Sequence, residues 1–384
     1  MHLEGEIGMR KVLMALVALA STFGFVWVVS APSGASTAAA KTKWATATSA
    51  AAGGGMSALV KAAEQEGKLN VITLPPTWAN YGSIMKDFSK KYHIAITSDN
   101  PTGSSQDEIN AAQDLKGQAR DPDVFDMGTP FAIKAAADGL LAPYKVAEWS
   151  IIPGTAKTGK GDWYADYGGY VAIGYNSATV KNPPTSFADL LKSTYKNEVG
   201  INGNPTEAGA AFAAVFAAAL ANGGSYSNIK PGITYFKKLY SVGNFVPTTA
   251  SESTVESGQT PIVIWWDYLQ ASEIGSKVKS WKVVIPSDGH YAAYYDQAVN
   301  KTAPHPAAAR LWEEYLYSTI GQNQWLQGYA RPIELSYMVA HHTATTKALA
   351  ALPKAPAGSP TFPSQAQVTA AEKVVAQEWA SVTS

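Results

Sequence analysis

Apolar positions along the chain switch repeatedly between a helical and a strand period. In SALVKAAEQEG, Leu59, Val60, Ala63 and Glu64 sit at helical spacing and Gly67 ends the run, after which KLNVITL reads as a short β-rich segment. YGSIMKDFSKKY repeats the helix, with Ile84, Met85 and Phe88 on one face, and HIAITSD supplies the next strand. Residues 107–120 predict a helix, VFDM a buried strand, and residues 131–138 a helix closed by Gly139. The aromatic run WYADYGGYVAIGYN, residues 163–176, predicts a long strand; Pro183 and Pro184 then break the chain, and Ser186 caps the helix that SFADLL begins. Beyond it come helices over residues 208–221 and 229–242, strands over 262–266 and 281–285, and a second long strand, YAAYYDQAV, over 291–299. A long helix opens at His305 and Pro306, and a final amphipathic helix over residues 365–381 follows a Pro/Ala/Thr-rich passage.

This alternation predicts an α/β protein that leaves one lobe, builds a second and returns. Two crossings between lobes make a hinge and a cleft. Residues 56–170 and 297–384 are assigned to lobe 1 and residues 171–296 to lobe 2. A chain of 384 residues exceeds what one compact core normally serves, in keeping with two lobes.

The first 55 residues follow another logic. Arg10 and Lys11 precede an apolar run over residues 12–29 and then small residues to Ala40, the layout of a signal peptide cut near residues 38–40. Left uncut, the same run is long enough to span a bilayer as an anchor. The expectation is therefore export to the periplasmic or extracellular side, with residues 41–55, rich in Ala, Thr and Gly, as a flexible linker. The chain has no cysteine, which excludes disulfides, thiolate metal sites, a cysteine nucleophile and a lipidated cysteine. Lys+Arg and Asp+Glu number 30 each, so no net charge points to nucleic acid or to a membrane surface.

Five segments, in order, carry a resemblance: DPDVFDMGTPFAIKAAADGLLAPY, YGGYVAIGYN, PTSFADLL, ESGQTPIVIWWDYLQA and PHPAAARLWEEYLYSTIGQNQWLQGYARPI. Over residues 69–335 the chain resembles the solute-binding proteins of ABC importers, in the branch that handles iron, thiamine, polyamines and aminoethylphosphonate. The resemblance implies a type II periplasmic-binding-protein fold whose two crossover strands form the hinge. It also implies a monomer without enzymatic activity or cofactor, which holds a small solute between its lobes and delivers it to a membrane permease.

Ligands of open α/β sheets sit beyond the carboxyl ends of strands. That rule selects Trp78 after the first strand, Thr102, Ser104 and Ser105 after the second, and Thr129 after the third. Ser104 and Ser105 also precede Asp107 and Glu108 as a capping box would, so a purely local role competes with ligand binding. An aromatic, aromatic, aspartate sequence occurs twice, as Trp265-Trp266-Asp267 and as Tyr294-Tyr295-Asp296. Flat rings plus a carboxylate suit an ammonium group or polyamine. Strand alternation groups Tyr294 with Asp296, which are expected to point at the ligand while Tyr295 packs behind, and groups Trp265 with Asp267 on one face, leaving Trp266 on the other. Tyr167 stands on the first crossing beside Gly168 and Gly169, which are expected to let it bend. Arg331 and the Ser/Thr helix starts suit an anion instead, such as a phosphonate or organic acid, and the adjacent tyrosines allow ferric iron, for which the histidine spacing gives no support. A secreted hydrolase or lyase using Asp267 or Asp296 is the competing class; no G-x-S-x-G, H-E-x-x-H or P-loop motif supports it.

Overall fold

The computed structural model describes residues 41–356 and 361–384. The expected signal segment and its cleavage point lie outside the described residues. Strands β1 (Lys68–Ile72) and β2 (Ala95–Asp99) run parallel, joined by helix α2 (Tyr81–Tyr92), with α1 (Met56–Glu66) leading into β1. Strand β3 (Val124–Gly128) continues this lobe, and the Asp123 amide donates to the Asn70 carbonyl of β1 at 2.8 Å. Helices α3 (Ser105–Asp114) and α4 (Thr129–Ala137) flank β3 in the chain.

Strand β5 (Tyr164–Asn176) crosses between the lobes, after the two-residue β4 (Leu141–Ala142). It is buried along nearly its whole length, the burial expected of a strand covered on both faces. Up to Tyr170 it pairs with β10 (Ala292–Asn300), and from Val171 it pairs antiparallel with β8 (Ile262–Trp266). The second lobe adds β6 (Val199–Ile201) and β7 (Phe245–Thr249) beyond β8, and β9 (Trp281–Val284) on the other side of β5. Helices α5 (Gly209–Ala221) and α6 (Lys230–Ser241) pack together in this lobe, and the short α7 (Glu252–Glu256) precedes β8. Strand β10 returns between β3 and β5, followed by α8 (Pro306–Leu316) and α9 (Thr319–Gln327), and β11 (Arg331–Pro332) pairs with β5 at Gly168 and Tyr167.

Close approach requires Gly168 and Gly169 of β5. A Cβ on Gly168 would lie 2.0 Å from the Ala293 carbonyl oxygen, and one on Gly169 2.1 Å from Asp267 Oδ1. Both pair with β10, Gly168 beside a register shift, and at each the lack of space for a Cβ requires glycine.

Residues 41–55 are a docked segment, not a flexible linker. Residues 41–46 are helical, Trp44 is 2% exposed, and the Arg310 Nε of α8 donates to the Ala47 carbonyl at 2.8 Å. The Ala- and Gly-rich composition hid this because the anchoring comes from one tryptophan and from backbone carbonyls that accept from Arg310 and Lys145. The C-terminal segment also departs from its assignment to lobe 1 alone. Helix α10 (Gln365–Glu378) packs on α4 and contacts α6, while Trp379 sets its ring 5.4 Å from Phe236 of α6. Lys230 and Glu378 are 2.7 Å apart. The tail therefore spans both lobes. No helix among the described residues is long and apolar enough to cross a membrane.

Candidate functional site

Strands β8 and β10 each present successive side chains to two different spaces. In front lies the cleft between the lobes, a cavity of about 530 Å3. The loop after β1 contributes Trp78 and the loop after β2 contributes Thr102, Ser104 and Ser105. From the second lobe come Glu207, at the approach to α5, and Trp265 at the end of β8, and from the return strand comes Tyr295. Trp78 meets Trp265 edge-on at 5.9 Å and Tyr295 at 5.5 Å, so three segments distant in sequence supply one aromatic wall.

The front cavity is strongly acidic in composition. Asp107, Glu108, Asp126, Glu207, Glu252 and Glu273 line it, and among the described residues no Lys, Arg or His does. Several have local partners that fix their positions. Ser104 and Asp107 form a capping box, with the Ser104 amide donating to Asp107 Oδ2 at 2.8 Å. Ser105 Oγ accepts from the Gly128 amide at 3.1 Å, so both serines carry a structural role as well as facing the cavity. Glu108 accepts from the Asp126 amide at 2.9 Å, and Asp126 accepts from the Tyr167 hydroxyl at 2.7 Å and from Gln297 at 3.2 Å. Burial pushes Glu108 well above the ordinary carboxyl range and carries Asp126 up to about 7, against the hydrogen bonds that favour its ionised form. Glu273 also rises to about 7, through burial first, with the Thr77 hydrogen bond opposing and Glu252 adding to it.

The lobes touch across this cleft. A Cβ on Gly128 would lie 2.8 Å from the Gly209 Cα, so bare backbones meet there. The Gln106 amide donates to the Glu207 carbonyl at 3.2 Å, and Thr77 donates to Glu273 at 2.8 Å. These contacts define a closed arrangement.

Behind β10 lies a second cavity of about 120 Å3, lined by Thr129, Trp266, Tyr294 and Asp296 and roofed by Phe362 and Pro363. The expected alternation is present, with its faces divided between two spaces. Trp265 and Tyr295 face the front cleft, whereas Trp266, Tyr294 and Asp296 line the rear cavity, whose border Tyr295 also reaches.

Two expected contacts line neither cavity. Asp267 is wholly buried and its Oδ2 lies 2.6 Å from the Arg331 guanidinium, while its Oδ1 accepts from the Tyr170 and Tyr268 amides at 3.0 and 2.9 Å. Its lone pairs are spent inside the protein, at the point where β11 meets β5. Arg331 is correspondingly committed, and also donates to the Pro353 carbonyl at 2.6 Å. Tyr167 is equally buried; its hydroxyl accepts from Trp78 Nε1 at 2.6 Å and donates to Asp126, so it positions two cavity residues from behind. Sequence reasoning missed Tyr295 and the acids. Strand alternation separates Tyr295 from Tyr294, but the expectation turned the opposite face toward the ligand; Asp126 sits within an apolar strand, and the glutamates are scattered. Among the described residues no group of three or more His, Asp or Glu is arranged to hold a metal ion.

A family model described as bacterial extracellular solute-binding protein matches residues 120–356. No curated protein matches the chain. Among solved structures, the periplasmic binding protein AfuA from Actinobacillus pleuropneumoniae with fructose-6-phosphate bound is 18% identical, with a TM-score of 0.64 over 82% of this chain and 98% of that one. A periplasmic thiamin binding protein is 20% identical, with a TM-score of 0.64 over 83% and 96%. Iron-bound HitA from Pseudomonas aeruginosa is 18% identical, with a TM-score of 0.59 over 82% and 99%. At these identities the likeness is one of fold, the two-lobed binding-protein architecture.

Proposed function

The chain belongs to the bacterial extracellular solute-binding protein family, non-enzymatic components that hand small solutes to ABC permeases, and on that premise we propose that its cargo is a cationic amine such as a polyamine. The observation that carries this reading is the front cavity, with its acidic side chains, its Trp78, Trp265 and Tyr295 rings and no basic residue. An ammonium group gains from carboxylates and from ring faces alike. The folds it resembles include proteins whose names specify thiamin, iron and fructose-6-phosphate. A phosphate in this cavity would meet carboxylates with no guanidinium or ammonium to offset them, and the one arginine at the hinge, Arg331, is already paired with Asp267.

The mechanism follows from the closed contacts. A ligand that touches Trp78 and Glu108 from one lobe and Trp265 and Glu273 from the other gains most when the lobes meet at Gly128 and Gly209. It stabilises closure by that difference in affinity. Export of the protein, directed by the leading apolar segment, places this capture outside the cytoplasmic membrane.

A thermal-shift comparison tests the reading. Putrescine, spermidine and thiamine are expected to raise the melting temperature, since ligand at a hundred times its Kd adds about 2.7 kcal/mol. Fructose 6-phosphate and ferric citrate are expected to leave it unchanged. A shift by the anions alone overturns the cationic cargo.

A further inference from the structure

The rear cavity uses residues that the cargo reading does not. Its volume of about 120 Å3 approaches that of the ~150 Å3 apolar cavity that takes up benzene in an engineered protein. Its walls come from both lobes and the tail, with Phe212 from α5, Trp266 from β8, Tyr294 from β10 and Phe362 from the segment before α10. The Tyr294 and Phe362 rings are 5.4 Å apart. Because α10 packs on α4 of one lobe and Trp379 on Phe236 of the other, the roof is held from both sides.

One acid enters this aromatic box. Asp296 is 1% exposed, lines the cavity, and its Oδ2 has no hydrogen-bond partner among the described residues. An unsatisfied buried polar atom is destabilising, and a donor bound beside Asp296 relieves it. Burial holds the Asp296 carboxyl well above its ordinary range; the Thr129 hydroxyl opposes this and the nearby Asp126 adds to it. A cation beside the carboxyl offsets both unfavourable influences. Among the described residues no Lys, Arg or His lines the cavity, so an anionic guest finds no partner there.

We infer that the rear cavity is a second ligand site, taking a small monoamine with its nitrogen on Asp296 and its apolar body among Phe212, Trp266, Tyr294 and Phe362. Gly209 and Tyr295 border both cavities, so the two sites are neighbours with separate acids. The inference stands independently of the front cargo, because Glu108, Asp126, Glu273 and Trp265 do not line the rear space.

Benzylamine is the probe. Calorimetric titration into the full chain with the front cleft saturated by spermidine is expected to show one benzylamine bound. Asp296→Asn is expected to weaken it by about tenfold or more, the loss of one charge-assisted contact. Ala213→Leu, which fills the cavity from α5, is expected to abolish it while leaving the spermidine response intact. Crystals of the unsubstituted chain grown with benzylamine give a readout that depends on no variant, and density between Asp296 and Phe362 is the expected result. Absence of that density, displacement by spermidine, or equal affinity in Asp296→Asn overturns the site. Should spermidine itself not bind, the cargo reading fails, and the stoichiometry of benzylamine and its dependence on Asp296 still report the rear site alone.

Discussion

Trp265 and Trp266 are chain neighbours in the same strand, and they work in different spaces. Trp265 faces an acidic cleft about 530 Å3 in volume, and Trp266 faces a tail-roofed aromatic cavity of about 120 Å3. The return strand repeats the division, with Tyr295 toward the cleft and Tyr294 and Asp296 behind. The aspartate that follows each aromatic pair then shows what chemistry adds to geometry. Asp296 lines a cavity and keeps an unpartnered oxygen, whereas Asp267 is neutralised by Arg331 and by two amides. The same three-residue pattern thus yields a candidate contact in one strand and a structural anchor in the other.

The sharpest way to break this contrast is to remove the anchor. Arg331→Ala leaves Asp267 buried without its cation and is expected to cost about 3–5 kcal/mol in urea denaturation. The cost is expected to be similar with and without spermidine. A loss confined to spermidine affinity, with stability intact, would return Asp267 to the ligand. The tryptophans give the next largest effect. Trp265→Ala removes a ring from the front wall and is expected to weaken spermidine by up to about 2 kcal/mol, roughly 30-fold. Trp266→Ala is expected to leave spermidine affinity within about twofold, because that ring lies behind the strand. Equal losses in the two variants would dissolve the division into front and rear.

Much of the architecture was legible because long periodic elements leave few alternatives. The run over Tyr164–Asn176 reads as a strand that must serve both lobes, and in the structure it changes partner between Tyr170 and Val171. The site was legible only in part. Alternation separates Tyr294 from Tyr295 but cannot tell which face meets the cleft, a choice fixed by how β3 and β5 flank β10. Asp107 and Glu108 read as cap residues, and Asp107 does cap; that Glu108 reaches the cavity depends on which way α3 turns its first turn. Glu207, Glu252 and Glu273 belong together only once the second lobe has folded and closed. The tail reads as a final amphipathic helix, which the structure places at Gln365–Glu378; what it covers is not in its own pattern, since it lies across two lobes formed far upstream in the chain.

The smallest expected effect separates the front acids from the rear one through protons. Glu273 and Asp126, both raised to about 7 by burial, lose ionisation in the free protein as the pH falls through neutrality. A bound ammonium needs them charged, so affinity for spermidine is full above about pH 8 and declines below 7. For Glu273 alone, one proton competing in this window weakens binding by about tenfold between pH 8 and pH 6. Stability of the free protein runs the other way. A carboxyl with a raised folded pKa stabilises the fold while it stays protonated, and that contribution is lost as the pH rises through about 7. Glu273→Gln is expected to flatten the affinity profile at its alkaline end while keeping the Thr77 contact, since an amide oxygen still accepts that hydrogen bond. An affinity profile that does not change slope in Glu273→Gln would place the titrating acid elsewhere, with Asp126→Asn the variant to compare. A flat profile in the unsubstituted chain would instead mean that the front acids do not meet a cation.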